Sequence, residues 1–236
     1  MSNLQQSTLN KCIKLMQSRL PQACFLCGER VAGALLCAGC EDDLAHLPAA
    51  CCPQCALPTP QGEICGACLK KPPAFDRTRA VFSYAFPLDS LVQQCKYAHA
   101  SNLTEFFAAR MAERIGIDQP SLDYLLPMPL HPARLAQRGF NQAAEIARRL
   151  SPRIGVPWLP NACQRLRNTP SQAGLDLKTR QRNLRGAFTC CIDLSGKRVA
   201  LIDDVMTSGS SLDELARVVR KAGAIEIHAW VLARTL

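Results

Sequence analysis

One stretch of sequence decides the fold: Val199-Ala-Leu-Ile-Asp203-Asp204-Val-Met-Thr207-Ser208-Gly209-Ser210-Ser211. Its first four residues form a continuous apolar run, which is typical of a strand buried on both faces. Two adjacent acids follow the run, and a loop rich in hydroxyl groups comes next. Apolar residues then recur at helical spacing before Gly223: Leu212, Leu215, Ala216 and Val219. The pattern predicts a strand, a loop and a helix of an α/β domain.

Strands and helices alternate on both sides of this stretch. Apolar runs predict strands at Arg79–Tyr84, at the start of Leu122–Leu130 and at Ile225–Leu232. Amphipathic spacing predicts helices at Asp89–Tyr97, Leu103–Ile115 and Asn141–Leu150, the last with Asn141 as its N-cap. Strand, helix and strand at this spacing form right-handed crossovers and therefore a parallel sheet. We expect an α/β fold whose parallel sheet is flanked by helices.

The loop after the two acids has the composition of a phosphate-binding site. It offers backbone N–H groups, hydroxyls and a helix N-terminus, and Gly209 lets the backbone approach a ligand closely. Open α/β sheets bind ligands at the carboxyl ends of their strands, where Asp203 and Asp204 lie. These acids can accept hydrogen bonds from sugar hydroxyls, and Mg²⁺ can bridge those hydroxyls and a pyrophosphate. The alternative is a plain helix N-cap after a turn, where Ser and Asp are both common.

The stretch resembles the signature of type I phosphoribosyltransferases. Asp203 and Asp204 match the ribose-binding acids, and 207–211 matches the loop around the 5-phosphate. Serine stands at 208 and 211, where threonine is commoner, so the hydroxyls are kept. The resemblance implies that one run of residues binds 5-phosphoribosyl-1-pyrophosphate (PRPP) with Mg²⁺: Asp203, Asp204, Val205, Met206, Thr207, Ser208, Gly209, Ser210 and Ser211.

The segment Pro127–Gln142 is similar to the ComF/GntX branch of that superfamily and resembles its loop on the pyrophosphate side. The likeness implies that Arg134, Arg138 and Gly139 face the leaving pyrophosphate. Arg134 and Arg138 would be catalytic together with the two acids. Fixed guanidinium groups suit this role because they stabilise the negative charge that builds on pyrophosphate as its bond to the sugar breaks.

Two more segments carry the ComF/GntX resemblance, which covers nearly the whole chain. The segment 165–188 is similar to the mobile hood that closes over substrate, and it supplies Arg165, Arg167 and Arg182. The pair Lys96-Tyr97 resembles a basic–aromatic pair of the family, which implies a place for Lys96 in the PRPP site. The cysteine-rich leader is also shared with this branch. The basic hood residues could instead form a solvated face or a nucleic-acid patch.

Eight of the 14 cysteines form two copies of one unit, 28 positions apart. The first copy has Cys24, Cys27, Cys37 and Cys40, and the second has Cys52, Cys55, Cys65 and Cys68. Two Cys-x-x-Cys knuckles complete a tetrahedral zinc site without an open position, so we expect two structural zinc ions. The spacing leaves two pairings open. Each unit could hold its own zinc, or knuckles of different units could be cross-braced.

The chain divides into three predicted parts. Residues 1–22 hold an N-terminal helix (Thr8–Leu20), 23–72 form a double zinc-ribbon module, and 73–236 form the phosphoribosyltransferase-like domain. Pro72-Pro73 marks the second boundary because consecutive prolines stiffen a linker. No signal peptide and no apolar run of about 18–20 residues is found, so we expect a cytoplasmic protein without a membrane span.

The charge distribution predicts an anionic partner. The chain carries a net charge of +9, and 134–198 alone holds thirteen Lys or Arg against three Asp or Glu. Such a concentrated excess favours a polyphosphate or a nucleic acid.

Two functional hypotheses fit this sequence. As an enzyme, the chain would transfer the phosphoribosyl group of PRPP to a nitrogen nucleophile and release pyrophosphate. The ComF resemblance implies a role in DNA uptake or nucleotide use. As a non-catalytic module, it would sense PRPP or a nucleotide, or bind single-stranded DNA or a DNA-uptake or DNA-processing protein. The acceptor base and the oligomeric state are open at this stage.

Overall fold

The computed structural model describes residues 21–97, 101–115, 121–168 and 184–236. The predicted helix at Thr8–Leu20 lies outside them. In the described residues the strands are β1 (Pro21–Ala23), β2 (Arg30–Ala32), β3 (Arg77–Ser83), β4 (Tyr124–Pro127), β5 (Cys163–Arg165), β6 (Phe188–Cys190), β7 (Arg198–Met206) and β8 (Glu226–Arg234). The helices are α1 (Ala38–Asp42), α2 (Gly66–Lys70), α3 (Leu88–Tyr97), α4 (Ser101–Ile115), α5 (Pro132–Arg138), α6 (Gln142–Ile154) and α7 (Ser210–Lys221).

The main sheet has four parallel strands in the order β3-β8-β7-β4. Its two central strands are β7 and β8, joined by α7 in a β-α-β crossover. Residues 199–202 of β7 are fully buried, as expected for a strand covered on both faces. The predicted parallel α/β sheet is therefore confirmed.

The helices around the sheet begin close to their predicted positions. The helix α6 is capped by Asn141, whose Oδ1 accepts a hydrogen bond from the N–H of Ala144 at 3.4 Å, and it presents Ile146, Ala147 and Leu150 to the core. The strand β7 is longer than its apolar run, because parallel pairing with β8 continues as far as Met206. Both acids therefore lie inside a strand. None of the helices in the described part of the chain is long and apolar enough to cross a membrane.

The chain forms two compact units, 1–44 and 45–236. In its described part, the first unit consists of the antiparallel hairpin β1–β2 and α1, and carries the first four-cysteine set. The second unit contains the sheet together with the second four-cysteine set. The two cysteine sets thus lie in different compact units, and the double zinc-ribbon module at 23–72 stays a prediction. The boundary at Pro72 stays a prediction.

The second cysteine set is part of the core of the α/β domain. Cys52, Cys55 and Cys68 are buried in the same apolar cluster as Phe75 and strands β7 and β8. Thr78 on the edge strand β3 fixes the knuckle, since its N–H donates to Pro53 O at 2.9 Å and its hydroxyl to Gln54 O at 2.5 Å. The domain core therefore depends on the folding of this cysteine set.

We predict that loss of a second-set ligand destabilises the α/β domain. Cys55→Ser should lower its free energy of unfolding by at least about 2 kcal/mol, because a buried metal ligand and its packing are lost. That corresponds to a drop of roughly 4–8 °C in the main calorimetric transition. The matched change in the first unit, Cys27→Ser, should leave that transition within about 2 °C of the parent protein. Equal shifts for the two variants would contradict this assignment.

Candidate functional site

The two predicted acids lie near the carboxyl end of β7, in the middle of the sheet. The N–H of Asp204 donates to Asp203 Oδ1 at 2.9 Å, and the N–H of Val205 donates to Asp204 Oδ1 at 2.8 Å. Both side chains are partly exposed at this edge. Each carboxylate is thus held by the next backbone amide, and its second oxygen can face a ligand.

The electrostatic environment of the acids combines burial with nearby cations. Burial, and next the charge of Asp204, raise the pKa of Asp203 well above its usual range. Lys96, on α3, opposes this shift, and its Nζ lies 3.5 Å from Asp204 Oδ2. The structure therefore brings Lys96 to the acids, and its place in a PRPP site stays a prediction. A site that raises the pKa of a carboxyl in this way favours a bound cation.

The predicted phosphate loop lies directly after β7 and leads into α7. Thr207 and Ser208 are exposed, and the hydroxyls of Ser208 and Ser210 are 2.9 Å apart. Gly209 caps the 12-residue helix in a left-handed conformation, with φ of 75°, and the first amide of the helix, the N–H of Ser210, donates to Ser208 Oγ at 3.4 Å. The loop thus offers hydroxyls and a helix N-terminus to an anion, with Ser211 in the first turn.

Gly209 is required for its backbone conformation and for the space around it. A Cβ at this position would lie 2.6 Å from Cε of Met206, which is itself buried under the loop. Side chains rarely adopt so positive a φ. The turn that brings the loop back over Met206 therefore favours glycine at position 209.

The predicted arginines approach the acids from two elements. Arg134 and Arg138 lie on α5, and Arg138 Nη1 donates to Gln142 Oε1 at 2.8 Å. Arg165, at the end of β5, is largely buried, and burial followed by the charge of Arg134 lowers its pKa, while Asp203 raises it. These effects place Arg165 within electrostatic reach of both Arg134 and Asp203.

The remaining predicted hood and loop residues have defined positions where they are described. Gly139 ends α5 in a left-handed conformation, and its N–H donates to Leu135 O at 2.7 Å. Arg167 Nη1 donates to Arg185 O at 3.2 Å, so this side chain bonds the backbone of the predicted hood segment. Arg182 lies outside the described residues.

Sequence reasoning missed one residue at this site. Arg234, the last residue of β8, is 5% exposed and pairs in register with Met206. Its guanidinium donates to the carbonyls of Met206 (3.0 Å) and Thr207, and its Nε to Cys55 O at 2.8 Å. In the sequence, Arg234 is visible only as a charged residue at the end of an apolar strand. That pattern does not reveal which carbonyls its side chain contacts.

The eight cysteines form two local clusters in the described part of the chain. The sulfurs of Cys24, Cys27, Cys37 and Cys40 lie within 4.8 Å of one another, and so do those of Cys52, Cys55, Cys65 and Cys68. Neighbouring sulfurs are 3.7 Å apart in the first cluster and 3.6 Å in the second. Zinc–sulfur bonds of about 2.3 Å in a tetrahedron require sulfurs about 3.8 Å apart. The structure therefore fits one zinc per unit, without cross-bracing.

Backbone amides favour the thiolate form of the equivalent cysteine in each cluster. The N–H of Cys37 donates to Cys24 Sγ at 3.3 Å, and that of Cys65 to Cys52 Sγ at 3.3 Å. Burial raises the pKa of both thiols, but the amides outweigh it and leave the pKa of Cys24 at about 6 and that of Cys52 at about 7. Thiolates at neutral pH are the form that binds zinc.

Family models match both parts of the chain. A double zinc ribbon domain matches residues 15–69, and a phosphoribosyl transferase domain matches residues 135–236. The first match covers both cysteine clusters and supports two structural zinc ions. The second covers β7, the loop and α7, and shows that the sheet has a phosphoribosyltransferase-like fold.

Full-length relatives decide the family. The DNA utilization protein YhgH of Escherichia coli O6:H1 is 33% identical over 229 residues, which cover 92% of this chain and 99% of that protein. The chain belongs to the ComF/GntX family. Competence protein F of Haemophilus influenzae is 34% identical over 84% of this chain and 90% of its own length. The Bacillus subtilis glutamine phosphoribosylpyrophosphate amidotransferase structure, at 17% identity, overlaps 56% of this chain and 26% of that one with a TM-score of 0.39.

In this ComF/GntX protein, we predict that Gly209→Ala costs more stability than the same change at Gly196. Both glycines have a positive φ, 75° and 71°, so both alanines carry the backbone penalty of about 1–2 kcal/mol. A Cβ at 209 would lie 2.6 Å from Met206 Cε, whereas a Cβ at 196 would have no atom within 4 Å. Urea unfolding should therefore show a larger loss for Gly209→Ala by about 1 kcal/mol. A larger loss at 196 would show that the turn over Met206 is not tightly packed.

We also predict that Asp203→Asn stabilises the ligand-free protein at pH 7 by about 1 kcal/mol. A carboxyl whose pKa is raised by folding contributes less stability as pH rises above its unfolded value near 3.9, and asparagine removes this loss. The gain should disappear as pH falls towards about 4.

The control for this prediction is Asp193→Asn. The hydroxyl and N–H of Ser195 lower the pKa of Asp193, so the control should lose stability at pH 7. Urea titrations at both pH values measure the two differences. A destabilised Asp203→Asn at pH 7 would be inconsistent with an unfavourable buried charge.

Proposed function

We propose that this protein binds PRPP with Mg²⁺ at the carboxyl end of β7 and transfers its phosphoribosyl group to a nitrogen nucleophile. One observation carries the proposal. Two carboxylates, a hydroxyl-rich loop and a helix N-terminus follow one another at the carboxyl end of β7. The order matches the order of chemical groups in the ligand, from ribose hydroxyls to 5-phosphate. The phosphoribosyl transferase family model and the basic surroundings support it.

The acids and the loop have separate tasks in this proposal. The hydroxyls and backbone amides of Thr207–Ser211 donate hydrogen bonds to the 5-phosphate. Val205 and Met206 hold the loop on the sheet. Asp203 and Asp204 accept hydrogen bonds from the two ribose hydroxyls. Their carboxylate oxygens are also the hard donors that suit Mg²⁺, which would neutralise charge on the pyrophosphate.

Cations act on the leaving group. Arg134 and Arg138 bind the pyrophosphate, and Lys96 balances the acids beside it. As the bond from the anomeric carbon to pyrophosphate breaks, its electron pair leaves with pyrophosphate and positive charge develops on the ribose ring. The nucleophilic nitrogen forms a bond to that carbon from the opposite face. Arg165 lies near Asp203 and would help to close the site, whereas Arg167 and Arg182 would support the hood.

The biological role that we propose follows from the relatives. They are named for DNA utilization and for competence, so we infer a ComF-like role in DNA uptake or in the use of the resulting nucleotides. A DNA-uptake or DNA-processing protein would be the macromolecular partner. The two zinc clusters hold no open coordination position, so their part in this role is structural.

The same names favour a second candidate, a non-catalytic module. In that case the pocket senses PRPP or a nucleotide, and the basic segment binds single-stranded DNA. The charge excess in 134–198 supports this candidate, because phosphate contacts supply most of the non-specific affinity for nucleic acids. Trp158 is the only tryptophan in that segment, which gives few stacking platforms for bases.

A turnover assay separates the two candidates. The protein is incubated with labelled PRPP, Mg²⁺ and a panel of nucleobases and amines, and pyrophosphate release is measured. We expect release with at least one acceptor, and a loss of at least about 100-fold in Asp203→Asn/Asp204→Asn. The surface control Arg148→Lys should retain the parent rate. Binding without release across the panel would favour the sensor. The absence of PRPP binding would refute the enzyme and would leave only a nucleotide-sensing or DNA-binding module.

The DNA candidate is tested by salt dependence. Its affinity for single-stranded DNA should fall as salt rises, with a log–log slope of about −0.7 for each phosphate contacted. Affinity that is constant between 50 and 200 mM salt (roughly the range over which such contacts weaken) would exclude a phosphate-contact mode.

A further inference from the structure

Arg234 joins the phosphate loop to the second zinc cluster. Its guanidinium donates to the carbonyls of Met206, Thr207 and Thr235, the last at 2.7 Å. Its Nε donates to Cys55 O at 2.8 Å. One buried side chain thus bonds the backbone of the loop and the backbone of the knuckle, which are about 150 positions apart in sequence.

The charge of Arg234 is balanced by the cluster. Arg234 Nε bonds to the backbone of Cys55, whose sulfur belongs to the second cluster, so the buried guanidinium lies beside the four sulfurs. Four thiolates around one zinc ion carry a net charge of about −2. A buried cation without such a counter-charge is strongly disfavoured, as other unpaired buried ions are. The filled zinc site therefore favours the buried position of Arg234.

The guanidinium, together with the N–H of Thr235 that also donates to Met206 O at 3.0 Å, fixes where the first loop amides point. A peptide group is planar and trans, so its N–H points away from its C=O. Because the carbonyls of Met206 and Thr207 face Arg234, the N–H groups of Thr207 and Ser208 point to the opposite side. A carbonyl bonded to a cation also polarises the N–H of the same peptide group and makes it a better donor.

We propose that Arg234 is a positioning residue that couples the second zinc cluster to the 5-phosphate loop, so that zinc at this cluster raises the affinity of the loop for a phosphorylated sugar. This inference rests on the proposed function, since it concerns the same loop. The contacts at both ends of one side chain, its burial and the nearby thiolates all support the coupling. The first zinc cluster, in residues 1–44, has no part in it.

The test uses Arg234→Lys in the full-length, zinc-loaded protein. Lysine keeps the charge but cannot present a planar fork to carbonyls on both sides. Affinities are measured by calorimetry for PRPP with Mg²⁺, for ribose 5-phosphate and for pyrophosphate. Arg148→Lys is the matched control, because Arg148 is half-exposed and pairs with Glu145 on α6. Calorimetric unfolding and zinc content establish that each variant is folded and filled.

We expect Arg234→Lys to lower the affinity for PRPP and for ribose 5-phosphate by about 10-fold or more, because charge-assisted hydrogen bonds to the loop are lost. Pyrophosphate should bind within about twofold of the parent protein, because its cations lie on α5. The control should change none of the three affinities. Equal weakening of all three ligands would indicate general damage and would overturn the positioning role, and so would unchanged binding of ribose 5-phosphate.

The coupling must also operate in the opposite direction. Binding linkage requires that PRPP raises the zinc affinity of the cluster by the factor by which zinc raises the PRPP affinity, and couplings of this kind are typically about 5–150-fold. Chelator competition on the parent protein should show one of two zinc ions retained more tightly with PRPP and Mg²⁺. The same ion should remain protected in Cys27→Ser/Cys40→Ser, which removes the first site, and should lose protection in Arg234→Lys.

The outcomes separate this inference from the proposed function. If the parent protein binds none of the sugar phosphates, the proposed function is wrong and the coupling to this ligand falls with it. The parent protein could also bind PRPP while PRPP leaves the retention of both zinc ions against chelator unchanged. In that case the coupling is wrong and the proposed function stands.

Discussion

The candidate site depends on two neighbouring carboxylates that are held at the carboxyl end of a buried strand. Burial raises the pKa of Asp203, and Asp204 adds to the effect, so the pair favours positive charge around it. Lys96 reaches Asp204 from α3, and Arg165 lies within electrostatic reach of Asp203. The N-terminus of α7 adds its partial positive charge just beyond. An arrangement in which acids and cations surround an open edge suits a ligand that brings both a metal and phosphates, as PRPP does.

The two zinc clusters have one local geometry and different surroundings. In each cluster, the backbone N–H of the third cysteine donates to the sulfur of the first. The four sulfurs are spaced as tetrahedral coordination of one zinc ion requires. The first cluster stabilises a unit of its own, which is too small for an apolar core. The second contributes Cys52, Cys55 and Cys68 to the core of the α/β domain. Duplication of a sequence unit has therefore produced one cluster for a separate unit and one for the domain that holds the candidate site.

The sequence was sufficient for the features that local pattern determines. The apolar run 199–202, the acids and the hydroxyl-rich loop gave the central strand, its exposed end and the helix after it, and the 28-residue repeat gave both metal sites. Features that depend on distant parts of the chain were not predicted. The role of Arg234 depends on its register with Met206 and on a knuckle some 180 residues away, at Cys55. The end of β7 at Met206 follows from pairing with β8, and the pairing of cysteines within each unit follows from the folded knuckles.

The central claim is that the loop 207–211 holds the 5-phosphate of PRPP while Asp203 and Asp204 hold its ribose. A crystal structure of the full-length protein with PRPP and Mg²⁺ tests it most directly. We expect the 5-phosphate within hydrogen-bonding distance, about 2.7–3.2 Å, of the loop amides and hydroxyls, with both ribose hydroxyls on the acids. A ligand bound elsewhere, with this loop turned away from the phosphate, would contradict the account.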